Sequence, residues 1–287
     1  MVMKIKEQVI QTVEERNDVL KKIKHIALDM DGTIYNGSTL FPFTIAFLSK
    51  LKEWGISYSF LTNNPTKSAN DYVSHLQEMG VPAQIDDMYT SAQATIDYLK
   101  IHCPKIKRLF ILGTESMIHE FEAAGYVSVA ESADDVPDGV LVSFDKSLVY
   151  PRLCRAAWWI SKGLPYIATN PDRVCPTDKP TILVDCGSII SCLEYATRRM
   201  PDVVIGKPDP RMLYGIMEKM NFQADEVAVI GDRIYTDVKA ALNAKSVGVL
   251  VLSGETTMDI VRQTKEKPTL IARDLAEFQE WMSLVHE

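Results

Sequence analysis

Asp29 and Asp31 stand two residues apart in HIALDMDGT (25–33), where an apolar run ends abruptly in two carboxylates. Side chains at i and i+2 of an extended segment share a face, so both acids leave the run toward one spot. Two carboxylates that close repel, and one protonates unless a positive group lies beside them. Three further polar clusters follow apolar runs. FLTNNP carries Thr62, Asn63 and Asn64, a hydroxyl and two amides suited to an oxyanion. VVIGKPDP carries Lys207, and VAVIGDRIYTD carries Asp232 with Asp237 five residues on. If each run is a strand of one parallel sheet, the carboxyl ends share an edge and the clusters converge there. Asp29, Asp31, Asp232 and Asp237 then set four negative charges against Lys207, which demands a bound cation. Oxygen ligands without His or Cys nearby point to Mg²⁺ and not to zinc. Each cluster alone reads as an ordinary turn or loop; their joint occurrence, in order and at strand ends, is what points to a site.

The elements that must hold these residues are legible as alternating patterns. Ile5, Val9, Val13 and Leu20 predict an amphipathic helix over 4–20, packed on the main domain, with a homodimer contact as the alternative. A buried strand is expected at IKHIALDM, a helix from Pro42 to Trp54, and a strand over 56–63. Helices follow at Thr66–Met79 and from Ser91 to about Ile101. A second series is predicted as strand 107–112, helix 115–124, strand 139–144, helix 152–162 and strand 165–169. The late segments resume with strand DVVIGK, helix 210–220, strand EVAVIGD, helix 235–243 and strand SVGVLVL. Strands alternating with helices imply an α/β fold, a doubly wound parallel-sheet core. The acid-bearing strand ends lie in the first and last thirds. The expected organisation is therefore a core domain in two parts, 1–102 and 187–287, with a second α/β cap domain inserted at 103–186.

With 46% hydrophobic residues in 287, the chain can bury a sizeable core. A net charge of -7 argues against nucleic acid or an anionic membrane as partner. The charged N-terminus shows no signal-peptide pattern, no run is long enough to span a membrane, and the five cysteines are odd in number without a C-x-x-C. A cytoplasmic protein with reduced thiols is expected.

DMDGT, LTNN, GKP and GDRIYTD together resemble the four signature motifs of the haloacid-dehalogenase-like superfamily. Their order, and the insertion between the second and third, resemble its subclass IIA, the p-nitrophenyl-phosphatase and nucleotide-monophosphatase type. IATNPD (167–172) and GETT (254–257) match that subclass too. The resemblance implies a Mg²⁺-dependent phosphomonoesterase acting on a small phosphate ester, a sugar phosphate or nucleotide, through an aspartyl-phosphate. Asp29 matches the nucleophile and Asp31 the general acid/base, whose main-chain carbonyl should also bind metal. Thr62 and Lys207 match the residues holding the phosphoryl group, with Asn63 in the same motif; Asp232 matches the metal ligand and Asp237 a supporting acid. Gly32 lets the backbone turn sharply and bring amides near the phosphate. One departure is Val184-Asp185-Cys186-Gly187, where many subclass members carry Pro-Gly-x-Gly. Asp185 there could contact sugar hydroxyls or repel a second phosphate, and a plain hinge turn is the preferred reading.

Asn170 and Asp172 are turn residues that the resemblance makes candidates for a substrate-facing loop. For Asp145 in FDKSLVY the turn reading is preferred. Trp158 and Trp159 are read as packing, KIKRLF as the solvated start of a strand, and no His has a metal-ligand neighbour. The rivals are a phosphotransferase to an acceptor alcohol and a non-catalytic phospho-ligand binding or regulatory module. The second would need a catalytic acid missing, and both are present.

Overall fold

The apolar runs that precede the acids become buried strands in the computed structural model, which describes residues 12–175, 177 and 180–287. The chain divides into two compact units. One takes in the chain up to Leu61, Val73–Tyr89 and Lys207–Glu287; the other takes in Thr62–Tyr72 and Thr90–Gly206. The expected insertion, 103–186, falls inside the second. Of the helix expected over 4–20, Val13–Leu20 is helical, capped by Thr12 Oγ1, which accepts from Glu15 N at 3.2 Å. The part before residue 12 lies outside the described residues.

The first unit is built on a six-stranded sheet in the order Leu270–Ala272, Val247–Val251, Val227–Gly231, His25–Leu28, Ser57–Thr62, Met88–Thr90. Every residue of His25–Leu28 and Val227–Gly231 is buried, as central parallel strands covered on both faces must be. Leu28 lies opposite Ile230 on one side and Phe60 on the other, all in parallel register. The chain runs outward from His25–Leu28 in one direction and returns on its other side at Val227–Gly231. The strand order reverses between these two, which is where α/β sheets bind ligands.

The second unit has its own five-stranded parallel sheet, ordered Val203–Val204, Tyr166–Ala168, Gly139–Val142, Arg108–Leu112, Val127–Ser128. A small antiparallel pair joins Val174–Cys175 to Leu183–Val184. This sheet corrects one expectation. The strand leading to Lys207 pairs here, Val203 opposite Ile167, and not in the sheet that carries Asp29 and Asp232. A short apolar run does not encode which of two parallel sheets it joins; Lys207 is reached only after the chain leaves this sheet through Ile205 and Gly206.

Helix Cys186–Thr197 was not anticipated. Asp185 caps it by accepting from Cys186 N at 2.5 Å, and its Ile189, Ile190 and Leu193 pack with Phe110, Trp159 and Tyr166. The hairpin of Tyr35–Asn36 with Thr39–Leu40, the strands Met88–Thr90 and Leu270–Ala272, and helix Leu275–His286 were also not anticipated. The helix expected over 235–243 begins as a π-helical turn, Ile234–Val238, and continues as Lys239–Ala244. All five cysteines are free thiols. No helix among the described residues is long and apolar enough to cross a membrane.

Candidate active site

Asp29 follows the last residue of its strand, and its amide still donates to Ile230 O at 2.8 Å, which holds the backbone in the sheet. The chain then turns tightly: Gly32 sits at φ +83°, donates to Tyr35 O at 2.7 Å, and Ile34 N returns to Met30 O at 2.9 Å. Only glycine fits there. A Cβ on Gly32 would lie 2.5 Å from Asp232 Oδ2 besides requiring a left-handed backbone. Asp232 likewise follows the fully buried strand Val227–Gly231. Its Oδ2 accepts from Glu255 N at 2.6 Å, from a turn in which Gly254 passes so close that a Cβ would meet the same oxygen.

Lys207, 3% exposed, fills the space between carboxylates. Its Nζ lies 2.5 Å from Asp29 Oδ1 and 2.6 Å from Asp237 Oδ1, with Leu61 O at 3.5 Å. Asp237 comes from the π-helical turn, a distortion frequent at functional sites. Its Oδ2 accepts from Arg233 N at 3.2 Å and Thr236 Oγ1 at 3.3 Å, so both oxygens are engaged. Burial pushes Asp29 up to about 7, with Lys207 opposing and Asp237 and Asp232 adding to the rise. Burial also pushes Asp232 up to about 6. For Lys207 burial acts to lower the ammonium, but Asp237 and Asp29 outweigh it and hold the group above its ordinary value.

Asp29, Asp232 and Asp237 offer carboxylate oxygens within 4.8 Å of one another. Asp232 Oδ1 is buried without a hydrogen-bond donor. An acceptor left open among three carboxylates fits a hard divalent cation with oxygen ligands, and such a cation would offset the repulsion that Asp237 and Asp232 add to the effect of burial on Asp29. Asp31 is not in this group: it is exposed, and its Oδ1 accepts from Gly37 N at 3.1 Å in the hairpin turn.

The remaining expected residues are placed as follows. Thr62 ends the strand Ser57–Thr62, and its Oγ1 accepts from Asn64 N at 3.1 Å. Asn63 Nδ2 donates to Asp172 Oδ2 at 3.0 Å. Asn64 serves the loop itself, its Oδ1 accepting from Thr66 N and Oγ1 at 3.0 and 2.8 Å. Asn170 is fully buried and donates to Asp185 Oδ1 at 3.0 Å. Asp185, 2% exposed, is pushed up to about 6 by that burial despite this bond and the Cys186 amide. Sequence reasoning missed the supporting groups: Gly37, Glu255 through its amide, and Ser253, whose Oγ donates to Gly32 O at 2.7 Å. The GETT match had marked that last turn without giving it a role.

Two family models match the chain, haloacid dehalogenase-like hydrolase over residues 26–127 and HAD-hydrolase-like over 204–278. The fold is similar to that of a 4-nitrophenylphosphatase from Thermotoga maritima, with a TM-score of 0.86 and 41% identity over 91% of this chain and 98% of that one. It is also similar to a glycerol phosphate phosphatase from Mycobacterium tuberculosis solved in complex with magnesium. There the TM-score is 0.83, with 30% identity over 93% of this chain and 80% of the other. An acid sugar phosphatase of Staphylococcus saprophyticus is 30% identical over 258 residues, 90% of this chain and 97% of its own.

Proposed function

The chain belongs to the haloacid-dehalogenase-like hydrolases, in the phosphatases of subclass IIA, and we propose that it is a Mg²⁺-dependent phosphomonoesterase for small phosphorylated metabolites. The observation that carries the reading is the cluster of Asp29, Asp232 and Asp237 around Lys207, with one oxygen of Asp232 left open. A glycerol phosphate phosphatase and an acid sugar phosphatase among its relatives support the substrate class.

In this mechanism an oxygen of Asp29 attacks phosphorus, and the ester oxygen departs with a proton from Asp31. Water then attacks the phosphorus of the aspartyl-phosphate while Asp31 takes its proton, which regenerates the Asp29 carboxylate and releases phosphate. Splitting one hydrolysis into two displacements lowers each barrier. Lys207 and the Thr62 hydroxyl hold the phosphoryl oxygens, and Asp237 holds Lys207. Asn63 supports the same loop, and the Gly32 turn keeps space for the phosphate. Asp29, Asp232 and the Asp31 carbonyl would hold a Mg²⁺, which would supply the charge neutralisation that lets an anion approach a dianion.

Metal dependence is the direct test. The purified protein should hydrolyse p-nitrophenyl phosphate with Mg²⁺, lose that activity to a chelator, and regain it on Mg²⁺ addition. Asp232→Asn should raise the Mg²⁺ concentration needed for half-activity by at least about tenfold, as loss of a carboxylate ligand implies. Full activity in excess chelator would refute the metal assignment.

A further inference from the structure

The turn at 252–256 meets Asp232 through its main chain. Glu255 N donates to Asp232 Oδ2 at 2.6 Å, Thr256 N donates to Asp232 O at 3.2 Å, and Gly254 leaves no room for a Cβ beside that Oδ2. One carboxylate oxygen is fixed in this way, and the other, Oδ1, is buried with no donor among the described residues. The Glu255 side chain is held elsewhere. Its Oε1 accepts from Tyr235 Oη at 2.8 Å, and its Oε2 lies 2.9 Å from Arg233 Nε. Arg233 follows Asp232 in the chain, and Tyr235 stands in the π-helical turn Ile234–Val238 that also carries Asp237. A single carboxylate thus ties the turn to the segment that bears two of the three clustered acids. All of these groups lie in the first unit.

Tyr235 and Glu255 are exposed and Arg233 is partly so, and ties of that kind add little to the stability of a fold. What they can govern is the place of one amide. Partners that hold a ligand side chain commonly change metal affinity tenfold or more, because they fix which oxygen is offered and in what direction. If Glu255 drifts, its amide leaves Oδ2 and Asp232 loses its fixed arrangement with Asp29 and Asp237. We propose that Glu255 is a positioning residue for the divalent cation, its carboxylate anchored by Tyr235 and Arg233 so that its amide keeps Asp232 Oδ2 and leaves Oδ1 for the metal. The inference rests on the metal-dependent phosphomonoesterase reading.

The test reads Mg²⁺ affinity from the rise of Tm with Mg²⁺ concentration, in the full chain and without substrate. The wild-type response is the control for the metal reading itself. Tyr235→Phe removes one hydroxyl and no charge, and should weaken Mg²⁺ binding about three- to tenfold, the worth of one hydrogen bond. Glu255→Asp keeps the charge and the amide but is too short to reach both partners, and should weaken binding about ten- to a hundredfold. In excess chelator both variants should melt within about 3 °C of the wild type, as exposed ties imply. A general loosening of the fold would instead lower that Tm along with the affinity. Mg²⁺ affinity equal to wild type in either variant, or a loss matched by such a fall in Tm, would overturn the assignment and leave the metal reading standing. A wild type whose Tm ignores Mg²⁺ would overturn both.

Discussion

Two carboxylates two residues apart have come to lie in different surroundings. Asp29 is joined to a buried ammonium and shares its neighbourhood with two further acids, whereas Asp31 is exposed and tethered by one amide at the hairpin turn. A nucleophile has to be held, and a proton carrier has to reach water; the placement serves both needs. Asp31→Asn keeps the nucleophile and most of the local shape. A p-nitrophenolate leaving group hardly needs a proton, so the first displacement should survive, while the second loses a base worth roughly a hundred- to ten-thousandfold. The variant is expected to release a burst approaching one p-nitrophenol per protein and then stall as phosphorylated Asp29, read by rapid quench and intact mass. Asp29→Asn should give neither burst nor phosphoprotein. Steady turnover of Asp31→Asn without a burst would remove Asp31 from its role.

At the scale of elements, the strand that delivers Asp29 is pinned to its neighbour by an imidazole. Ser57 Oγ donates to Lys24 O at 3.2 Å and so accepts from His25 Nδ1 at 2.8 Å; Ser59 Oγ then donates to Nε2 at 3.1 Å. This assigns the neutral Nδ1–H tautomer, and burial lowers the ring from 6.5 to about 4. The unfolded chain therefore takes up a proton, as pH falls from about 6.5 to about 4, that the folded chain refuses. Stability from this group is present above that window and is lost going down through it, by up to about 3 kcal/mol. His25→Gln should show a shallower fall of Tm with acid than the wild type between pH 6.5 and 4; equal slopes would exclude the bridge. The strand itself was legible because an unbroken apolar run before paired acids has few other uses. Helix Cys186–Thr197 was not, because Cys, Gly and Ser in its first turn look like the hinge that the preceding VDCG suggests. The hairpin at Tyr35–Leu40 escaped because two-residue strands carry too few side chains to show a period. The convergence of Lys207 with the acids was foreseen, but the route was misplaced, since the run before it belongs to the second sheet.

For the whole molecule, the boundaries of the second unit decide what can be removed. A linker replacing 103–186 would leave the helix after Asp185 without Phe110, Trp159 and Tyr166, and would uncover Ile189, Ile190 and Leu193, each now at most 4% exposed. Re-exposing three such side chains costs about 5–9 kcal/mol, comparable with the stability of an entire domain. That deletion should aggregate on size-exclusion chromatography. Replacing 91–205 instead removes the second sheet complete, and should leave a protein with one cooperative melt and residual turnover of p-nitrophenyl phosphate but little discrimination among metabolites. If the shorter deletion proves the better folded of the two, the second unit does not extend to Gly206.

The chain crosses between its two units at 61–62, 72–73, 89–90 and 206–207. The last of these crossings ends on Lys207, which two carboxylates grip at 2.5 and 2.6 Å. In mechanical language that grip is a rivet made of charge inside the first unit, which holds all three of its members. Acid that protonates Asp29, or an anion that competes for the ammonium, loosens that rivet and disarms the chemistry in one event.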